Sequence, residues 1–307
     1  MSIEFLKLCL RTPKTLLIIF LEKLSPFIST KFYIKLRWRV VIGESLNLEN
    51  PQTYNEKLQW LKVYYRDPLY TTLVDKFKVK KYVSDTIGSQ YVIPLIASWN
   101  NVDEIEWEKL PSQFVIKCSH DCGGMVICRD KSILNIEEAK RKLKECLKTN
   151  YYYKSREWPY KDVPTKIFAE SYMEDEYGEL RDYKFFCFNG EVKAMFVASD
   201  RSKKTSTCFD FYDADFNHLP FTQGHPNAIN PIMKPKAFDK MKELASKLSQ
   251  GMPHVRVDFY EVNGNIYFGE FTFFHYGGMM PFDPEEWDYK FGSWISLPTN
   301  IKREWKK

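Results

Sequence analysis

The stretch HVRVDFYEVNGNIYFGEF, His254–Phe271, alternates side chains on either side of Asn263-Gly264, the pattern of two antiparallel strands joined by a tight turn. Asp258 falls on the first arm and Glu270 on the second. Whether they meet depends on the turn. A two-residue turn at Asn263-Gly264 puts them on opposite faces, whereas a three-residue loop through Asn265 sets them opposite one another, with Cβ atoms roughly 5 Å apart. Arg256 shares the Asp258 face in either case. Two carboxylates that close repel one another, so a cation is expected between them. Paired carboxylates with water and phosphate suit Mg²⁺, and Arg256 suits a further anionic group. The alternative is a solvated hairpin whose Glu270 faces water.

Around this hairpin lies a chain of 307 residues, 44% hydrophobic and 16% aromatic, long enough for one large core or two lobes and outside the disordered range. The formal charge of +5 is too mild and too evenly spread to imply nucleic acid. It fits an anionic small ligand, or loose attraction to an anionic membrane surface. Seven cysteines in no disulfide-framework spacing point to the reducing cytoplasm. The apolar run LLIIFL, Leu16–Leu21, is far short of the roughly 20 residues of a spanning helix, and no small-residue cleavage site follows it.

The first sixty residues alternate apolar and basic positions, broken by Pro13, Pro26 and Gly43. Short amphipathic helices are expected there, either as a collar packed on the body or as a membrane-surface segment. TYNEKLQWLKVYYRDPLY reads as a helix capped by Thr53 with Glu56 in the capping box. YTTLVDKFKVKKYVSDTIG reads as one further helix ending at Gly88, with Lys76 and Lys80 on one face. From there strands and helices mix, with Asn189-Gly190 marking a second hairpin and PKAFDKMKELASKLSQG a helix. The fold class is therefore α+β with largely antiparallel sheets.

Three other constellations carry charge. Lys117 ends the apolar run of FVIKCSHDCGGMVI, and the loop with Gly123 and Gly124 offers backbone N–H groups to a polyphosphate, although an ordinary glycine hairpin reads equally well. Cys118, His120, Cys122 and Cys128 lack the paired spacing of a structural zinc site. In IFAESYMEDEYGELRDYKFF a strand exits at Glu170 into an acidic turn, with Lys184 on the next strand. Such an exit can serve a purine and a ribose, or simply be solvated.

Lys76 and Lys80, Lys117 with its glycine loop, Glu170, Lys184, then Arg-x-Asp (Arg256, Asp258) and Glu-x-Thr (Glu270, Thr272) follow one another in an order that resembles the ATP-grasp superfamily. TYNEKLQWLK, RDPLYTTLVDK, LRDYKFFCFNGE and RVDFYEVNGNIYFGEFTF look most like its TupA-like branch, associated with bacterial surface polysaccharides, over about Thr53 to Gly278. The resemblance implies an ATP-grasp fold with ATP between two α+β lobes: an N-terminal helical segment at 1–60, a first lobe at 61–164, and a second at 165–307 carrying hinge, metal site and substrate loop. It implies that Lys76, Lys80, Lys117, Gly123, Gly124, Glu170, Ser171, Tyr172, Met173 and Glu174 bind nucleotide. Asp258, Glu270 and Thr272 would hold Mg²⁺ or Mn²⁺, and Arg256 and Lys184 would be catalytic. Thr272 stands where many members have Asn. His275, in FHYGGMM, falls where a substrate loop is expected.

The implied activity is a carboxylate–amine ligase working through an acyl phosphate on a small-molecule or polysaccharide-precursor substrate. A lipid-linked precursor would bring Arg37, Trp38, Arg39 and LLIIFL near a membrane. A glycosyltransferase, a kinase and a non-catalytic scaffold are the rival classes.

Overall fold

Thr53 opens the first helix of the main body as the sequence predicts, its hydroxyl accepting from the Glu56 N–H at 3.2 Å while the Glu56 carboxylate accepts from the Thr53 N–H at 3.2 Å. The computed structural model describes residues 13–120, 124–175, 180–199, 207–230 and 232–299, and the statements below concern those residues. Before Thr53 come α1 (Pro13–Leu24) and α2 (Thr30–Val41). Leu21, Tyr33, Ile34 and Trp38 of these helices bury themselves against Leu46, Leu48 and Met279, which makes them a collar on the body. No described helix is long and apolar enough to cross a membrane.

After α3 (Tyr54–Tyr64) the expected single helix is two, α4 (Leu69–Val74) and α5 (Val79–Ile87). Asp75 causes the break. Its carboxylate accepts the N–H groups of Phe77 and Lys78 at 3.0 Å each, a local turn that competes with continued helix. Lys76 therefore lies in the turn, its N–H donating to the Ser119 carbonyl at 2.9 Å, and shares no helical face with Lys80.

Two antiparallel sheets follow. The first contains β1 (Leu95–Trp99), β2 (Phe114–Cys118), β3 (Val126–Cys128) and β4 (Ile167–Ser171) in the order β1-β4-β2-β3. Its core joins Phe114, Ile116, Ile167 and Ala169 to Leu143 of α6 (Ile136–Leu147). After α6 the short α7 (Tyr152–Ser155) returns to the body. The second sheet contains β5 (Asp182–Phe188), β6 (Glu191–Ser199), β7 (Cys208–Asp213), β8 (Val255–Val262) and β9 (Asn265–Thr272) in the order β7-β6-β5-β8-β9. Both predicted hairpin turns form, with positive φ at Asn189 (50°), Gly190 (85°), Asn263 (51°) and Gly264 (80°), the conformation that selects Asn-Gly.

One face of the second sheet is apolar: Phe185, Val257 and Phe259 pack with α8 (Phe238–Leu248), the Phe185 and Phe238 rings 6.0 Å apart. Burying each such ring contributes about 1.5–3 kcal/mol. This core also takes in Tyr54, Leu58, Leu73 and Val83 of α3 to α5, and α9 (Glu286–Trp294) through Phe291. Helices α3 to α5 belong with the second sheet, and β4 belongs with the first, because each follows the apolar surface it covers.

Candidate active site

The Asp258–Glu270 question resolves through a β-bulge. Near the turn β8 and β9 keep the two-residue register, with Val262 opposite Asn265 and Phe259 opposite Phe268. Beyond Phe259 the register shifts, and Val257 stands opposite Phe271 and Arg256 opposite Thr272. Gly269 and Glu270 therefore oppose the single residue Asp258, and the extra residue turns Glu270 onto the Asp258 face. Neither simple turn predicted this.

Lys184 on β5 stands directly opposite Asp258, and its ammonium pairs with the Asp258 carboxylate and lies 3.4 Å from Asp182. Arg256 grips Asp258 bidentately, Nε to Oδ1 at 2.7 Å and Nη2 to Oδ2 at 2.7 Å, and the same Nη2 reaches Glu270 Oε1 at 3.3 Å. Arg256, expected to hold a further anionic group, here bridges the two acids. Lys76 closes the other side of Glu270 at 2.9 Å, and the Thr272 hydroxyl donates to Glu270 at 3.3 Å. Burial pushes Glu270 up, but Lys76, Lys184 and Arg256 outweigh it and hold the carboxyl below the usual carboxylate range. Asp258 is fully buried, whereas the Glu270 side chain is 37% exposed and faces the cleft. Two carboxylates and a hydroxyl, converging where a cationic nitrogen already sits, form an oxygen donor set that fits a hard divalent cation.

His275 is buried and accepts at Nδ1 from Arg256 Nη1 at 2.7 Å, so its Nε2–H donates to Gln223 Oε1 at 3.1 Å. Burial, Arg256, His254 and Lys184 hold it well below the ordinary histidine range, and it is neutral. The histidine orients Arg256 from behind. The turn that carries it is clamped by one face of α3: Asn55 donates to the Met280 carbonyl at 2.9 Å, Gln59 to Gly277 at 2.9 Å and Gly278 at 2.6 Å, and Lys62 to Gly277 at 2.7 Å. Asp288 on α9 fixes Asn55 in turn, through its N–H at 2.9 Å and its amide nitrogen at 2.8 Å. Sequence reading missed Asn55, Gln59 and Lys62. Their signal is three polar residues at i, i+4 and i+7 interleaved with the apolar positions of TYNEKLQWLK.

A second cluster lies across the cleft. Glu170, buried at the end of β4, pairs with Lys80 at 2.8 Å and with Lys117 of β2. Burial would raise its pKa; the two ammoniums prevail and lower it. Lys80 also donates to the Ile93 carbonyl at 3.0 Å. The cleft is lined by both clusters (Lys76, Lys80, Lys117, Glu170 and Glu270) and by apolar Val79, Ile93, Phe168 and Phe268. Gly124 lines it too, while Gly123 lies outside the described residues. Ser171 donates its N–H to the Pro94 carbonyl at 3.0 Å, and the chain leaves β4 through Tyr172, Met173 and Glu174, the Tyr172 hydroxyl donating to Glu174 at 3.0 Å. Among the predicted residues, two groups thus face one another: Lys80, Lys117 and Glu170, and Lys76, Lys184, Arg256, Asp258, Glu270 and Thr272.

A model of the TupA-like ATPgrasp family matches residues 56–296. A search of the curated proteins gives no match. Similar solved structures include D-alanine–D-alanine ligase from Bacillus anthracis complexed with ATP (14% identity, 66% of this chain and 53% of that chain, TM-score 0.37). D-alanine–D-alanine ligase from Helicobacter pylori (15%, 74% and 61%, 0.39) and a biotin carboxylase–β-γ-ATP complex from Campylobacter jejuni (13%, 80% and 49%, 0.42) are others. The chain spans less than two thirds of these proteins' own length.

Proposed function

The chain belongs to the TupA-like ATP-grasp family, whose members are ligases, and on that premise we propose that it is an ATP- and divalent-metal-dependent carboxylate–amine ligase. The observation that carries the reading is the single face of the second sheet on which Lys184, Arg256, Asp258, Glu270 and Thr272 converge, across a cleft from Lys80, Lys117 and Glu170.

In this reading the apolar walls of the cleft hold the adenine beside the chain leaving β4, with Glu174 toward the ribose. Lys80 and Lys117 exchange their Glu170 contact for the α and β phosphates. Asp258, Glu270 and Thr272 would hold Mg²⁺ or Mn²⁺, which when bound neutralises phosphate charge. Arg256, fixed by Asp258 and His275, and Lys184 face the transferring phosphoryl group and stabilise its charge. An oxygen of the substrate carboxylate attacks the γ-phosphorus as its bond to ADP breaks, giving an acyl phosphate. An amine nitrogen then bonds to the acyl carbon, phosphate leaves, and the nitrogen loses a proton. The acid of this reading is a uronic acid of a capsular or cell-wall polysaccharide precursor, and the amine an amino acid or related compound; the support for that substrate class is the branch of the family, TupA-like.

Calorimetry with ATP and with UDP-sugars, each with and without Mg²⁺, on wild type and Glu270→Gln, tests the reading. Mg²⁺-dependent ATP binding lost in the variant, followed by phosphate release only when an acid and an amine are both present, is expected. UDP-sugar binding with no response to ATP would replace the ligase by a glycosyltransferase, and phosphate transfer to a hydroxyl would replace it by a kinase.

A further inference from the structure

The collar helices turn only part of their apolar surface inward. Leu21, Tyr33, Ile34 and Trp38 form the seam against the body. Leu16, Leu17, Phe20, Leu24, Phe27 and Phe32 point to solvent, with Phe20 57%, Phe27 85% and Phe32 58% exposed. Leu16, Phe20, Leu24 and Phe27 recur at helical spacing along one side of α1 and the turn after it. Six such residues clustered within one segment form a patch of the kind that marks an interaction surface.

Charge selects the occupant. Between Pro13 and Gly43 the sequence carries Lys14, Lys23, Lys31, Lys35, Arg37 and Arg39 against the single acid Glu22, and Glu22 is paired with Arg37 at 3.0 Å. Lys14, Lys23, Lys31 and Lys35 are exposed on the same two helices as the apolar residues. A second copy seated isologously would press this basic rim against itself, whereas an anionic bilayer offers lipid tails to the patch and negative headgroups to the rim. We propose that this face docks on an anionic membrane surface, α1 lying in the interface. The residues expected from sequence are partly replaced: Trp38 is buried in the seam and Arg37 is held by Glu22 and Tyr33, so Phe20, Phe27 and Phe32 are the inserting groups. Because Met279, four residues beyond His275, is part of the same seam, docking and catalytic turn share one packed unit.

The test is co-sedimentation of the full chain with phosphatidylcholine vesicles with and without phosphatidylglycerol, at low and high salt. Binding to the anionic vesicles only, about tenfold weaker in Phe20→Glu/Phe27→Glu and reduced in Lys23→Gln/Lys31→Gln and by salt, is expected. Both pairs are exposed, so their melting temperatures and ATP binding should match wild type. Wild type left in the supernatant with anionic vesicles, or a Phe20→Glu/Phe27→Glu variant that binds as wild type does, overturns the proposal. So does concentration-dependent dimerisation that this variant abolishes in the absence of vesicle binding.

Discussion

Gly269 sits so close to Asp258 that a Cβ built on it would lie 3.1 Å from the Asp258 carbonyl oxygen and 3.4 Å from its Cβ. The bulge that brings Glu270 to the Asp258 face thus leaves little room for a side chain at its inner position. Gly269→Val should push β9 away from β8 and raise the metal concentration for half-maximal activity on the order of tenfold, since small misplacements at a reacting centre are costly. An unchanged metal titration in a folded variant would show that the bulge tolerates bulk.

Arg256 makes four contacts that only a forked guanidinium can make together: two to Asp258, one to Glu270 and one to His275. Arg256→Lys keeps the charge and loses the fork, so turnover should fall about 10²–10³-fold. Steady-state kinetics beside a thermal melt separates this from loss of folding.

Gln59 donates to the carbonyls of both Gly277 and Gly278 from a fully buried position. Gln59→Leu leaves the Gly278 carbonyl without that donor and should destabilise the protein by about 1–3 kcal/mol, measured by denaturant unfolding. Turnover should fall further than nucleotide affinity, because the clamp acts on the turn behind Arg256.

Two buried acids make opposite predictions for pH. Burial pushes Asp288 up to about 6, so the folded state holds a proton that the unfolded state has released. Its contribution lowers stability as pH rises from about 4 to about 6, by roughly 3 kcal/mol in all, and Asp288→Asn should flatten that slope. Glu170 is held low by Lys117 and Lys80 against the effect of burial, so its contribution is present above the ordinary glutamate range and is lost as pH falls below that range toward the lowered folded-state value. Glu170→Gln should remove that acid-side loss, as urea unfolding across pH would show.

Where local chemistry decides structure, the sequence was legible. The Thr53 and Glu56 cap, the Asn189-Gly190 and Asn263-Gly264 turns, and the strand carrying Lys117 all depend on neighbours within a few residues. The break at Asp75 is local too, but its side-chain turn competes with a strong helical pattern and only the carboxylate geometry shows which wins. The bulge at Gly269 and the clamp from Asn55, Gln59 and Lys62 depend on partners distant in the chain. The membership of α3 to α5 in the second sheet's core is likewise fixed by which apolar surfaces meet, and periodicity carries no record of that.

The Lys80–Glu170–Lys117 cluster has a consequence for how an anion would enter. The two ammoniums already have a counter-ion, supplied by the protein, and α5, which carries Lys80, packs into the second sheet's core through Val79 and Val83, while Glu170 and Lys117 stand on the first. A polyphosphate arriving there would perform an ion exchange, displacing a fixed carboxylate instead of meeting bare charge. Affinity would then measure the difference between two anions for the same cations, and the exchange would unfasten an ionic tie between the two sheets at the moment the nucleotide ties them together again.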